Sequence, residues 1–229
     1  VRPPVANVDC AIVVTACIEP DFSSNLLDRQ LVMLSENEIV PILYFSKADL
    51  MDETTKERML PVFDYYSKYY RTVVSEKNMA DEELVSALLE EAGNVLVVMG
   101  QTGAGKSTLL NRLDPKLKLE TGEISKALSR GRHTTRKVSL MDVKGHLIAD
   151  TPGFSSFELR EIEKERLSSL FEDFNEYSPQ CRFRGCLHLN EPDCAVKAAV
   201  LEGKILESRY ENYKLFQKMI QEQKPRYKR

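Results

Sequence analysis

No apolar run in this sequence approaches the ~20 residues that a membrane span needs, and its start lacks the charged-then-apolar pattern of a signal sequence. A cytoplasmic protein with no membrane partner is therefore expected. Neither sign of charge is in surplus. The formal net charge of −3 gives no general case for a nucleic-acid partner, although a basic patch can sit on a near-neutral protein. Apolar residues are not scarce: 42% hydrophobic against 29% charged leaves material for a core and argues against global disorder. Cysteine is sparse and odd in number, five in all, with Cys181, Cys186 and Cys194 clustered near His188. In a cytosolic chain that clustering suggests metal more than disulfides. Cys10 and Cys17 lie on an apolar run and read as small core residues. At 229 residues there is room for one good-sized domain and a smaller one; a monomer is the working expectation, on which length and composition are silent.

What is present is organised around Gly100-Gln101-Thr102-Gly103-Ala104-Gly105-Lys106-Ser107-Thr108. The apolar run Val95 to Met99 precedes it and Leu109 to Leu113 follows, so it reads as strand, glycine-rich loop, helix. That is the context of the phosphate-binding pattern G-x-x-x-x-G-K-[ST]. The glycines let backbone N–H groups turn inward around phosphate oxygens, and the following helix points its positive end at them. Lys106 would reach the β- and γ-phosphates, and the Ser107 hydroxyl would ligate Mg²⁺. The plain alternative is a ligand-free turn, which the full pattern in this context makes the weaker reading.

Upstream, Asn7 to Ile18 and Ile39 to Phe45 read as strands buried on both faces. Between them, Asn25 to Glu36 is an amphipathic helix with Ser23 or Ser24 as its N-cap. The second strand runs into Ser46-Lys47-Ala48-Asp49, a form of [NT]-K-x-D. The Asp49 carboxylate would accept from guanine N1–H and N2–H₂, a donor pair that adenine lacks, and the Lys47 stem would pack over the base. Ser46 stands where Asn is usual. That removes an amide which ties this loop to the phosphate loop, and it leaves the strength of guanine discrimination open. Asp52 to Tyr69 reads as a helix whose aromatic face is core. The strand Arg71 to Val74 then leads to Ser75-Glu76-Lys77, suited to the loop whose backbone supports guanine. Asp81 to Glu91 is an acidic helix.

Downstream, Lys118 to Arg136 is polar and aperiodic and contains His133-Thr134-Thr135. A hydroxyl from Thr134 or Thr135 could close on Mg²⁺ and γ-phosphate. A strand pair follows and ends in Asp150-Thr151-Pro152-Gly153, a D-x-x-G in which Asp150 would hold Mg²⁺ through water and the Gly153 N–H would meet the γ-phosphate. The position after it, where a glutamine would orient the attacking water, is Phe154. Slow intrinsic hydrolysis that a partner completes is therefore expected. His133 is a candidate for positioning the water, set against an equal case for packing or partner contact. The phosphate loop also lacks the Asn that holds potassium in some such enzymes, so potassium dependence is not indicated.

Glu158 to Phe174 and Ala195 to Gln223 read as helices. Between them, Cys181, Cys186, His188 and Cys194 have the spacing C-x4-C-x-H-x5-C, a closed Cys₃His set suited to one structural Zn²⁺ with no open position for catalysis. Unlinked buried cysteines are the competing reading. Arg182 and Arg184 lie inside this segment, and a basic tail ends the chain.

The guanine loop thus precedes the phosphate loop, the Thr segment and D-T-P-G, which is the order of a circularly permuted GTPase. With Phe22 to Leu31, Gly131 to Thr135 and the Cys/His cluster, the whole chain resembles the RsgA (YjeQ/YloQ) family of ribosome small-subunit-dependent GTPases. The resemblance implies an α/β fold: a P-loop GTPase domain in permuted order over 1–156, then a mainly helical zinc-binding domain over 157–229. It implies GTP and GDP as ligands, Mg²⁺ with GTP, and a role in late assembly of the small ribosomal subunit through its rRNA. Arg2 to Asp9 resembles the junction after the family's N-terminal OB-fold, so that barrel is expected to be absent from these residues. Two other readings compete: a zinc-containing RNA-binding module that senses GTP and GDP with negligible turnover, and an ATP-using kinase, for which no acceptor site or lid is found.

Overall fold

The computed structural model describes residues 7–119, 139–150, 159 and 162–222. The chain divides into two compact units, Val1–Phe22 with Ile39–Ser156 and Ser23–Glu38 with Phe157–Arg229.

In the first unit, β1 (Cys10–Ala16), β2 (Val40–Ser46), β3 (Arg71–Val74), β4 (Val95–Gly100), β5 (Ser139–Val143) and β6 (His146–Asp150) form a six-stranded sheet in the order β3-β2-β1-β4-β6-β5. Every pairing is parallel except that of β5 with β6. Strands such as Cys-Ala-Ile-Val-Val-Thr-Ala are apolar on both faces because helices cover both. On one face Ile12, Val14 and Val98 pack with Leu84, Leu88, Leu109 and Leu113, which come from α3 (Asp81–Leu89) and α4 (Lys106–Leu113). The aromatic face of α2 (Glu53–Ser67) is core, as its spacing predicts: Phe63 meets Phe45 at 4.8 Å between ring centroids.

The order of the strands decides where a ligand can sit. The chain steps outward from β1 to β2 to β3, then returns to lay β4 on the opposite side of β1. Loops leaving the carboxyl ends of β1 and β4 therefore part at that point and open a crevice. The loops after β2, β3 and β4 leave from the same end of the parallel set, and β6 ends there too. Permuting the chain changes the order in which these loops are met along the sequence, and it does not change the sheet edge on which they gather.

The second unit departs from the sequence expectation in three ways. The helix α1 (Ser24–Glu36), which precedes β2 in the chain and falls inside 1–156, belongs to this unit. It is capped as expected, with the Ser23 hydroxyl accepting the Leu26 N–H at 3.2 Å. Its Val32 and Met33 enter a core with Leu167, Phe171, Phe174, Tyr213 and Phe216. The stretch expected to be helical up to Phe174 is instead, in its described part, a run of turns with a 3-10 segment at Leu167–Leu170, followed by the single turn α5 (Phe174–Tyr177). The expected final helix is two, α6 (Ala195–Leu201) and α7 (Glu207–Gln221). The break has a local cause: Gly203 takes φ +69°, the left-handed conformation that ends helices, and the Lys204 N–H returns to the Ala199 carbonyl at 2.8 Å.

A buried ionic network holds this unit together. Arg209 is 1% exposed, and Asp28 and Asp173 are fully buried. Its Nη1 donates to Asp28 Oδ1 at 2.6 Å, and its Nε and Nη2 fork onto Asp173 at 3.1 and 2.8 Å. Asn212 Nδ2 donates to the second Asp28 oxygen at 2.7 Å. The guanidinium plane also lies 4.7 Å over the Phe171 ring. Among the described residues no helix is long and apolar enough to cross a membrane.

Candidate nucleotide site and candidate metal centre

The crevice after β4 begins with Gly100. Its φ is +149°, and a Cβ there would stand 2.2 Å from the Val14 carbonyl oxygen on the neighbouring strand, so only glycine lets the phosphate loop leave the sheet here. Gly105, at φ +93°, is the N-cap of α4. The Lys106 ammonium donates to the carbonyls of Gly100 and Gln101 at 2.7 and 2.9 Å, so it spans the mouth of its own loop. Ser107 is buried in the first turn of α4. Gln101, Thr102 and Thr108 are exposed, and Ala104 is buried.

Next to it lies the loop after β2. Sequence alone expects Ser46 to leave this loop untied from the phosphate loop, and the geometry overturns that. Ser46 Oγ donates to the Ala104 carbonyl at 2.6 Å. A short hydroxyl suffices because the backbone comes close: a Cβ on Gly105 would lie 3.8 Å from Ser46 Cβ and Oγ. Lys47 takes a left-handed backbone, φ +59° and ψ 21°, and its ammonium binds the Glu19 carbonyl. Ser75, brought alongside because its N–H continues the ladder to the Phe45 carbonyl at 2.9 Å, accepts the Ala48 N–H at 2.9 Å and faces Asp49 Oδ1 at 3.4 Å. One hydroxyl thus braces both the backbone and the carboxylate of the Ser46–Asp49 loop.

These residues border a cavity of about 400 Å³ lined by Ser46, Lys47, Asp49, Ser75, Glu76, Gly105 and Thr108. Sequence reasoning missed further walls, among them Tyr44 and Arg112. Arg112 follows Thr108 by four residues, so helical spacing puts it on the same face. Its partners come from another element and leave no local trace. Asp150 ends β6, paired with Val98. His133, Thr134, Thr135, Gly153 and Phe154 lie outside the described residues.

The second unit brings Cys181, Cys186, His188 and Cys194 together, with their ligand atoms all within 4.8 Å of one another. His188 Nδ1 is 3.3 Å from Cys194 Sγ and 3.6 Å from Cys181 Sγ, and those two sulfurs are 3.9 Å apart. Tetrahedral Zn²⁺ with ordinary bond lengths spaces its ligands by about 3.5–3.8 Å, so this donor set fits that ion. Burial pushes the Cys186 thiol up to about 12 and raises that of Cys194, and it lowers the His188 imidazole. Neutral groups are thus favoured unless a cation stabilises the thiolates. The supports are in place: Ser178 Oγ lies 3.2 Å from His188 Nε2, leaving Nδ1 to face the sulfurs. Tyr210 and Tyr213 donate to the carbonyls of His188 and Leu187, each at 2.6 Å.

Comparison with known proteins gives the family of the chain. The family profile described as RsgA GTPase matches residues 1–160. The chain belongs to the RsgA GTPase family. It is 54% identical to the small ribosomal subunit biogenesis GTPase RsgA of Limosilactobacillus reuteri, over 100% of this chain and 78% of that protein. It is 53% identical to the protein of the same name from Pediococcus pentosaceus, over 100% of this chain and 74% of that one. Among solved structures it resembles YloQ, described as a circularly permuted GTPase, with 38% identity and a TM-score of 0.79 over 98% of this chain and 72% of the other. YjeQ from Thermotoga maritima is similar at 34% identity and a TM-score of 0.81, over 96% and 74%. Membership of the RsgA GTPase family makes the chain a GTP hydrolase, and its permuted motif order is that of a solved relative.

Proposed function

We propose that this GTPase binds the small ribosomal subunit during late maturation, hydrolyses GTP there and leaves once the γ-phosphate is gone. The observation that carries the nucleotide half of the reading is the convergence of Ser46, Asp49, Ser75 and, from the Gly100–Thr108 stretch, Gly105 and Thr108 on one cavity. The names of the relatives supply the ribosomal half.

In this reading the Asp49 carboxylate accepts from guanine N1–H and N2–H₂, the Lys47 stem covers the base, and backbone N–H groups of Gly100 to Ser107 wrap the phosphates. Lys106 exchanges the carbonyls of Gly100 and Gln101 for β- and γ-phosphate oxygens. Ser107, Asp150 and one of Thr134 or Thr135 are the residues to hold Mg²⁺, which neutralises charge on the β- and γ-phosphates when bound. Gly153 senses the γ-phosphate. Phe154 cannot orient water, so turnover is slow until the subunit completes the site, with His133 the candidate for that task. The zinc centre is structural. Arg182, Phe183 and Arg184 are exposed on the loop it closes and offer two cations and a ring to rRNA. The protein acts as a cytoplasmic monomer.

The test is multiple-turnover GTP hydrolysis with and without purified small subunits. Strong stimulation is expected, and a His133→Ala variant should lose most of it. Equal, negligible turnover in both conditions would replace this reading with that of a nucleotide-sensing RNA-binding module.

A further inference from the structure

One wall of the cavity ends in a loop, residues 75–80, that belongs to no strand or helix. Its first residue is well anchored, by the ladder bond to Phe45 and the hydroxyl bond to Ala48. Inside it the Met79 N–H returns to the Glu76 carbonyl at 3.2 Å. Its far end is gripped from another element. Arg112, in the last turn of α4, donates from Nη2 to the Met79 carbonyl at 2.7 Å and from Nε to Asp81 Oδ1 at 2.8 Å. Asp81 opens α3, which begins as the loop ends. The Tyr44 phenol, two residues before Ser46 on β2, faces the same guanidinium. Arg112 also lines the cavity itself.

We infer that Arg112 is a positioning residue for guanine selectivity, fixing the 75–80 loop to the phosphate-loop helix so that base and phosphates are read against one rigid frame. The inference rests on the reading of Asp49 and Ser75 as the guanine site. Two features set Arg112 apart from an ordinary surface ion pair. Its planar fork donates from two fixed nitrogens to two acceptors, one of them a main-chain carbonyl, a geometry that the flexible point charge of a lysine does not fix. The Asp81 carboxylate is about half exposed, with 53% of its side chain accessible, so the pair adds little to global stability and its role shows in the placement of the loop. A loop held less firmly tolerates the exocyclic amine of adenine where guanine presents a carbonyl, and preference falls.

The experiment measures Kd for GDP and for ADP, together with the melting temperature of the nucleotide-free protein, for wild type, Arg112→Met, Arg112→Lys and Asp81→Asn. Arg112→Met keeps the aliphatic stem and should lower the GDP-to-ADP preference about tenfold, the scale of one lost charged hydrogen bond. Arg112→Lys should recover part of the loss, and melting temperatures should stay together. Asp81→Asn, a milder change, should move the ratio in the same direction and covers the case of an Arg112 variant that does not fold. An unchanged ratio in Arg112→Met and Asp81→Asn overturns the inference, as does a loss matched by an equal fall in melting temperature. Asp49→Asn in the same series separates the two readings. If it leaves GDP preference intact, the guanine site is misassigned; if it abolishes preference and Arg112→Met does not touch it, only the role of Arg112 fails.

Discussion

The two units reach stability by opposite routes. The first is a sheet whose central strands carry almost no polar side chain, so its backbone ladders and apolar faces suffice, and its polar residues are free to gather at the carboxyl edge as a binding site. The second has few long elements. Its core gathers the aromatics Phe171, Phe174, Tyr213 and Phe216 among aliphatic side chains, joined across the sequence by the Asp28–Arg209–Asp173 network and by a Cys₃His set whose donor atoms lie close enough to hold a metal ion. Where a sheet organises the chain, function is built from loops. Where it does not, buried charge and the Cys₃His set take on the organising.

The sharpest way to test that contrast is to deny the Cys₃His set a metal. Chelation, or Cys194→Ser, should unfold the second unit, since structural Zn²⁺ contributes on the order of 10 kcal/mol to folds of this kind. Helical circular dichroism should drop and the environment of Tyr210 and Tyr213 should change, while GDP still binds the first unit. If chelation leaves the dichroism unchanged, the metal is not what holds the unit. A smaller loss is expected from Asp28→Ala, which removes the carboxylate that Arg209 Nη1 and Asn212 Nδ2 share. Breaking a buried pair on one side costs about 3–5 kcal/mol, and urea denaturation read on the second unit would measure it.

The same contrast governs how far the sequence could be read. Contiguous patterns are legible because a few neighbouring residues carry both the turn and the chemistry: Gly100 to Ser107 and Cys181 to Cys194 announce themselves, and each strand of the sheet has an apolar signature close to its observed bounds. The allegiance of α1 was not legible. Its spacing of Leu27, Leu31 and Leu34 says that one face is buried and not against what; the information lies in Asp28, whose partners Arg209 and Asp173 come from distant parts of the chain. For the same reason the tie made by Ser46 escaped notice, since the residue type alone cannot show how near Gly105 brings the backbone. The break at Gly203 was in principle readable as a helix stop, and the apolar spacing on either side concealed it.

The smallest expected effect lies beside the metal and depends on pH. Glu191 accepts the N–H groups of Leu187 and Leu189, both at 2.9 Å, and so clips the backbone on either side of His188. Burial works against its ionisation, but these donors overcome it and hold the carboxyl below the usual range. A carboxyl depressed in the folded state stabilises above the unfolded value, roughly 4.3 for a glutamate, and the benefit fades as pH falls through the lower folded value. Wild type should therefore exceed Glu191→Gln in stability near neutral pH, and the gap should narrow as pH falls through and below about 4. Comparing the two proteins at each pH removes the acid sensitivity that thiolate ligands give to both. A gap that stayed constant down to about pH 3 would mean that the difference does not come from the ionised carboxylate of Glu191.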